Sequence, residues 1–197
     1  MKGTARSPIK QSLRMLLAIS GIVFAGFIFA YFQHQDLDSR VSFSLTGPSG
    51  TEVTQKDMSG KWMLVYFGYT SCPDICPTQT AKVAKTLRLL DKKRLGDKIA
   101  PVFISVDFKR DTPEGIDSYL QHFDQRFIGL TGSPQQLDQV TKAFGTRYEL
   151  QAAQNAHHGN IIHSSTTYLV DPFGKIVDQI AFGYDPVFLA GHIEKLL

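Results

Sequence analysis

The feature that most constrains this chain is an apolar run followed at once by two cysteines and a helical pattern. Residues 62–67 read Trp-Met-Leu-Val-Tyr-Phe, which has the length of a buried strand, and Gly68 marks its end. Small and apolar residues then recur at the spacing of one helix face, namely Cys76, Thr80, Val83, Leu87 and Leu90. The stretch therefore predicts a strand, a cysteine loop and a helix.

The two cysteines are predicted to be reactive. A helix N-terminus offers unpaired N–H groups and the positive end of the helix dipole, both of which favour thiolate over thiol. Cys72 and Cys76 are four residues apart, so in a helix their Cβ atoms would lie about 5–6 Å apart. That separation suits either a shared metal ion or, after local adjustment, a disulfide. A structural zinc site would need about four ligands, and the chain has no second cysteine pair.

Residues 67–77, Phe-Gly-Tyr-Thr-Ser-Cys-Pro-Asp-Ile-Cys-Pro, resemble the signature of the Sco (SenC-like) family of membrane-anchored copper proteins. The resemblance extends from about Val41 to the C-terminus and implies a thioredoxin-like fold. It also implies that Cys72, Cys76 and His163 bind copper, as Cu(I) or Cu(II). Residues 105–113 depart from the family pattern, because Phe108 replaces a proline.

The remaining patterns predict an α/β protein with a mixed sheet. Alternation around a Gly-Pro-Ser-Gly turn predicts an added N-terminal β-hairpin within residues 41–54. Strands and helices then alternate, and two strands around a tight turn at residues 171–174 precede a last helix. A second buried strand is predicted from Pro101 to Val106. Helix starts are predicted from Asp111 and Thr112 before Pro113, from a capping box of Ser133 with Gln136 in a helix that Gly145 ends, and from Asp185 before Pro186. Residues 147–160 show no period and are predicted to form a long loop.

The N-terminal region has the composition of a membrane anchor. Residues 1–14 carry four basic and no acidic residues, and residues 15–32 are an uncharged apolar run of bilayer-spanning length. The alternative is a cleaved signal peptide, but the run exceeds a usual signal core. We expect a cytoplasmic tail (1–14), a transmembrane anchor (15–32), a tether (33–40) and a thioredoxin-like domain (41–197), with that domain in the periplasm of a bacterium and the anchor in its inner membrane.

Net charge excludes a nucleic-acid partner. The formal net charge is +3, and the four basic residues of the head leave 3 − 4 = −1 for the rest of the chain. That remainder has no basic excess of the kind that binds nucleic acid.

Several other polar residues lie in positions where they could serve a metal site. A lone histidine at a strand entrance, as His163 is, is more often structural, and the family resemblance reverses that expectation. His157 and His158 lie in the predicted loop, either solvated or assisting metal capture. Asp107 ends a strand beside the cysteine loop and could orient a ligand, although an ordinary turn explains it as well. Asp74 lies between the cysteines and could tune their charge.

Three functions are compatible with these residues. The resemblance implies a metallochaperone that delivers copper to, or prepares, the binuclear copper A centre of cytochrome c oxidase, with the copper-bearing subunit as partner. Copper-donor and thiol-reductant proteins would be further partners. The alternatives are a thiol-disulfide reductase and a copper or redox sensor. Residues 159–167 contain no proline, whereas thioredoxin-type reductases place a cis-proline opposite their cysteines, so metal binding is favoured.

The predicted topology can be tested with a reporter fused after Leu197. Because the basic residues precede the apolar run, the reporter should be active only outside the cytoplasm. An alkaline phosphatase fusion, which needs an oxidising compartment, measures this. Activity of a cytoplasmic reporter at the same position would contradict the topology.

Overall fold

The computed structural model describes Gly21, Phe24 and residues 40–150, 161–163 and 165–197. Its strands are β1 (Ser44–Thr46), β2 (Glu52–Thr54), β3 (Trp62–Gly68), β4 (Ile99–Ser105), β5 (Ile128–Leu130), β6 (Tyr148–Leu150), β7 (Ile161–His163), β8 (Thr167–Val170) and β9 (Ile176–Ile180). Its helices are α1 (Ile75–Asp91), α2 (Pro113–Gln121), α3 (Pro134–Ala143) and α4 (Pro186–Leu196).

A mixed sheet in the order β5-β4-β3-β8-β9 forms the centre of the fold. Strand β4 runs parallel to β3 and β5, whereas β8 runs antiparallel to β3 and β9. Gly68 is paired with Ser105, and Tyr66 is paired with Thr167. The carboxyl ends of β3 and β4 and the start of β8 therefore lie at one end of the sheet, called here the cysteine end.

Side chains of β3 alternate between two cores, one on each face of the sheet. Met63, Val65 and Phe67 pack in a cluster with residues of β1 and α3. Leu64 and Tyr66 pack in the other cluster, with residues of α1, α2 and α4. All five are almost fully buried, and each large apolar side chain that leaves water stabilises the fold by about 1.5–3 kcal/mol. This burial on both faces explains why the strand reads as one continuous apolar run.

The predicted helix boundaries agree with the observed caps. Ser133 and Gln136 form a reciprocal capping box at the start of α3, and Gly145 follows its end with a positive φ of 64°. Thr112 caps α2 with Pro113 in its first position, and Asp185 caps α4. The buried stripe predicted for α1 is confirmed, because Cys76, Thr80, Val83, Leu87 and Leu90 are all buried.

Two expectations about strands are corrected. Residues 147–160 are not wholly a loop, since β6 pairs antiparallel with β7. Three-residue strands carry too little periodicity to be predicted from a sequence. Strand β4 begins at Ile99 and so includes Pro101. Pro101 is tolerated because β5 pairs with β4 only from Val102 onward, which leaves a single neighbouring strand at the proline.

The N-terminal part of the domain begins as predicted. The hairpin of β1 and β2 is antiparallel and pairs Ser44 with Thr54. Residues 40–197 cluster as one unit. The predicted tail, anchor and most of the tether lie outside the described residues, apart from Gly21 and Phe24. Among the residues that the structure describes, no helix has the length and apolar character needed to cross a membrane.

Candidate metal centre

The cysteine loop begins where β3 ends, and a glycine makes that junction possible. A Cβ atom on Gly68 would lie 3.0 Å from the Cys76 sulfur and 2.7 Å from a ring carbon of Phe103. Gly68 also accepts a hydrogen bond from Val106 N–H, at 2.9 Å, which holds the end of β3 to the chain leaving β4. The absence of a side chain therefore lets the Cys76 thiol pack directly against the end of the central strand.

Cys72 lies before α1 and caps it with its sulfur. The N–H of Cys76 donates to Cys72 Sγ at 3.5 Å, and Asp74, in the N-cap position, forms no capping bond with its side chain. The spacing alone suggested that the two cysteines stack on successive turns of one helix. Cys72 instead lies before the helix starts. A sulfur at the N-terminus of a helix receives both its N–H groups and the favourable end of its dipole.

These surroundings make the two thiols chemically unequal. Burial raises the pKa of Cys72, but the backbone N–H groups of Cys76 and Asp74 outweigh burial, so the net pKa is lowered. Burial raises the pKa of Cys76 well above its ordinary value, and the nearby Cys72 adds to the rise. Cys72 is partly exposed, whereas Cys76 is buried, and both carry reduced thiols. Cys72 is therefore the thiol that ionises first and meets solvent.

A buried carboxylate fixes the start of the loop. Asp111 accepts hydrogen bonds from the N–H of Thr70, at 2.9 Å, and from the hydroxyls of Thr70 and Ser105, at 2.5 Å each. Only 8% of its surface is exposed. Charge-assisted bonds of this kind are about twice as strong as neutral ones. Asp111 therefore holds the residue two positions before Cys72 against the end of β4.

Of the two interpretations of Asp107, the structure supports the ordinary turn, because its carbonyl accepts hydrogen bonds from the N–H groups of Arg110 and Asp111. Asp107 forms an ion pair with Arg110, whose guanidinium lies 5.8 Å from the centre of the Tyr69 ring. Asp111 was expected to help cap α2, but Thr112 occupies the cap. The sequence contained one sign that Asp111 is not the cap, because a helix has a single N-cap and Thr112 directly precedes Pro113, the first helical residue. The carboxylate of Asp111 was therefore available for another role.

The backbone of His163 belongs to a separate small sheet. It lies at the end of β7, where it pairs with that of Tyr148 in β6, and not at the entrance of β8 as the sequence suggested. Tyr148 packs against the same core cluster as Cys72. Thr167, the first residue of β8, lies opposite Tyr66 near the end of β3. His163 thus precedes, by four residues, a strand that starts at the cysteine end of the sheet.

The described side chains contain part of the predicted ligand set. No group of three or more His, Cys, Asp or Glu side chains suited to a metal ion occurs among the described residues. His163 is described through its backbone, and His157 and His158 lie outside the described residues. The structure therefore brings Cys72 and Cys76 together directly, and the roles of the three histidines stay predictions.

The difference between the thiols predicts different alkylation rates. With Cys76→Ser, the remaining Cys72 should react with iodoacetamide at pH values below those usual for cysteine, because the thiolate is the nucleophile. With Cys72→Ser, the remaining Cys76 should react more slowly by at least about tenfold at pH 7, since one pKa unit is a factor of ten. Mass spectrometry over a pH series measures both, and equal rates would contradict the assignment.

Comparison with known proteins gives the family. The SCO1/SenC family model matches residues 33–197. An SCO2-like protein of Rickettsia conorii is 39% identical over 145 residues, which cover 73% of this chain and 70% of that protein. The mitochondrial SCO1 homolog of Homo sapiens is 36% identical over 136 residues, covering 69% of this chain and 45% of the human protein. The chain thus spans less than half of the human relative.

Solved structures agree in fold. ScoI of Arabidopsis thaliana with copper bound is 34% identical, with a TM-score of 0.74, and the match covers 80% of this chain and 96% of that one. ScoI of Bradyrhizobium japonicum with copper bound is 33% identical, with a TM-score of 0.71, covering 80% of this chain and 99% of that one. The sheet and helices thus form the expected thioredoxin-like α/β fold, and this chain belongs to the SCO1/SenC family.

Proposed function

We propose that this chain binds copper and delivers it to, or prepares, the binuclear copper A centre of cytochrome c oxidase. The pair of unequal thiols at the end of β3 carries the proposal. The Sco family consists of cytochrome c oxidase assembly proteins, and the relatives from Arabidopsis and Bradyrhizobium have been solved with copper bound. The copper-bearing subunit of the oxidase is the partner that this function requires.

The donor chemistry suits copper. Thiolates are soft ligands and select Cu(I), while an imidazole from His163 would add a donor that Cu(II) also accepts. Cys72, whose pKa is lowered, is the readier source of a thiolate, and Cys76 would ionise as the metal binds, which would release a proton. Three protein ligands leave a coordination position open, through which a partner's ligand can replace one of this chain's.

The same proposal assigns a place in the cell. The uncharged run 15–32 behind a basic head supports an anchor in the inner membrane of a bacterium, with the N-terminus in the cytoplasm and residues 41–197 in the periplasm. An oxidising compartment would convert the two thiols to a disulfide. A thiol reductant and a copper donor are therefore further partners of the proposed cycle.

The ligand set is tested by metal titration of purified variants. Cys72→Ser or Cys76→Ser should abolish tight copper binding, because a single thiolate remains. His163→Ala should retain Cu(I) on the two thiolates but lose most Cu(II) affinity, since imidazole suits the harder ion. Absorption spectroscopy follows both ions, and His122→Ala, an exposed histidine at the end of α2, is the matched control. Wild-type Cu(II) binding by His163→Ala would point to His157 or His158 as the ligand.

Delivery is separated from thiol reduction by an assembly experiment in cells. His163→Ala should impair oxidase assembly even though its thiols can still exchange with disulfides, and added copper should restore part of the loss. The copper content and activity of the oxidase are the measurements, with His122→Ala as control. If His163→Ala assembles the oxidase normally while either cysteine variant fails, copper delivery is wrong. Thiol-disulfide reduction would then be the function.

A further inference from the structure

The end of the sheet opposite the cysteine end, called here the basal end, has its own surface chemistry. Trp62 pairs with Ile99 where β3 and β4 start, and Met63 pairs with Val170 where β8 stops. Helices α1 and α4 also stop at this end, and Lys93 in the turn after α1 forms an ion pair with Glu194 of α4. The basal end is thus formed by strand starts, the β8–β9 turn and helix C-termini.

Basic side chains concentrate at the basal end. The exposed ones are Arg40, Lys61, Lys92, Lys93, Arg94, Lys98, Lys175 and Lys195. At the cysteine end the carboxylates outnumber the cations, since Asp74, Asp107, Asp111, Glu114 and Asp185 stand beside Lys82, Lys109 and Arg110. Because residues 15–197 carry a formal net charge of only −1, the described side chains are separated by charge, with the excess of cations at the basal end.

The acidic residues of the basal end do not cancel this charge. Asp91 and Asp124 both bind Arg126, which is an additional cation, and Glu194 binds Lys93. Asp171 accepts hydrogen bonds from N–H groups of its own turn, and Asp57 accepts from Thr54. Asp97 completes the acidic set. Among the described residues, the cations therefore outnumber the carboxylates at this end.

An aromatic side chain projects from the same surface. The turn between β8 and β9 is closed by Asp171, which accepts from the N–H groups of Phe173 and Lys175. Gly174 adopts a φ of +88°, which lets the turn close tightly. The side chain of Phe173 at the apex is 74% exposed. An aromatic side chain flanked by lysine and arginine is typical of protein surfaces that meet the interface of a lipid bilayer.

The chain enters the domain at this turn. Arg40 forms a β-bridge with Lys175, and the N–H of Val41 donates to the carbonyl of Gly174 at 2.8 Å. The residues before Arg40 are the tether that follows the proposed anchor. The basal end is therefore the part of the domain nearest, along the chain, to the membrane.

We propose that the basal end rests on anionic phospholipid of that membrane, with Phe173 inserted among the headgroups and the cysteine end turned away. The attraction comes from clustered lysine and arginine side chains, which bind anionic lipid surfaces within about one Debye length. This inference rests on the anchor in the proposed function but not on copper binding.

The experiment uses the full chain reconstituted in vesicles. Trp62 is the single tryptophan and lies at the basal end, so its energy transfer to a dansyl group on lipid headgroups reports how close that end is to the surface. Transfer should be greater in vesicles containing phosphatidylglycerol than in pure phosphatidylcholine. About 0.5 M NaCl should remove the difference, because salt screens the attraction.

Matched variants identify the surface. Lys92→Glu with Lys98→Glu should lower transfer in phosphatidylglycerol vesicles to the phosphatidylcholine level, and Phe173→Ser should lower it in part. Lys85→Glu with Lys109→Glu, equally exposed but away from the basal end, should leave it unchanged. Lys92→Gln with Lys98→Gln, a milder change, should give an intermediate loss, and thermal unfolding confirms that each variant is folded.

The outcomes separate this inference from the proposed function. If a carbonate wash leaves the chain on the vesicles but transfer is the same in both lipids, the basal-end contact is wrong and the anchor stands. If the wash removes the chain, the anchor is wrong and the contact falls with it. If variants of the proposed copper ligands lose oxidase assembly but keep normal energy transfer from Trp62, the basal-end contact is supported.

Discussion

Pairing of β3 with β4 on one side and with β8 on the other is the constraint on which the site depends. The parallel register places Gly68 beside Ser105, so the loops after both strands leave the sheet together. The antiparallel register places Tyr66 beside Thr167, so the strand that follows His163 starts at the same end. Residues far apart in sequence are thereby brought together by backbone hydrogen bonds, before any metal takes part.

The chemistry of the cysteines follows from a competition between burial and hydrogen bonding. Both thiols are partly or wholly removed from water, which penalises the thiolate. For Cys72, the N–H groups at the start of α1 overcome that penalty, while for Cys76 the backbone N–H of Tyr69 does not. A bound metal ion would outweigh the effect of burial on both thiols, because its positive charge stabilises both thiolates at once. In the proposed function, Cys72, the more readily ionised thiol, would therefore bind copper first, and Cys76 would ionise as it binds the same ion.

The sequence was sufficient for elements with strong local signals. Burial on both faces gave β3 a continuous apolar run, and cap residues marked the starts of α3 and α4. All three could be predicted, because each signal lies in neighbouring residues. Strands β6 and β7 were missed in part because each is only three residues long, too short to show a periodic pattern. Asp111 was misassigned because its bonds to Thr70 span 41 positions and no local pattern encodes them.

The proposed contact of the basal end with lipid would bear on the proposed copper transfer. Strand β3 has seven residues and, at about 3.3 Å per residue, puts about 20 Å between the basal end and the cysteines. A tether of the predicted length, residues 33–40, reaches no more than about 29 Å, so a freely tumbling domain would present its thiols over a wide range of heights and directions. A domain resting on its basal end, as proposed, would present them outward at a nearly constant height. A partner anchored in the same membrane would then meet the proposed copper site at a raised effective concentration, because both searches would be confined to two dimensions and one orientation.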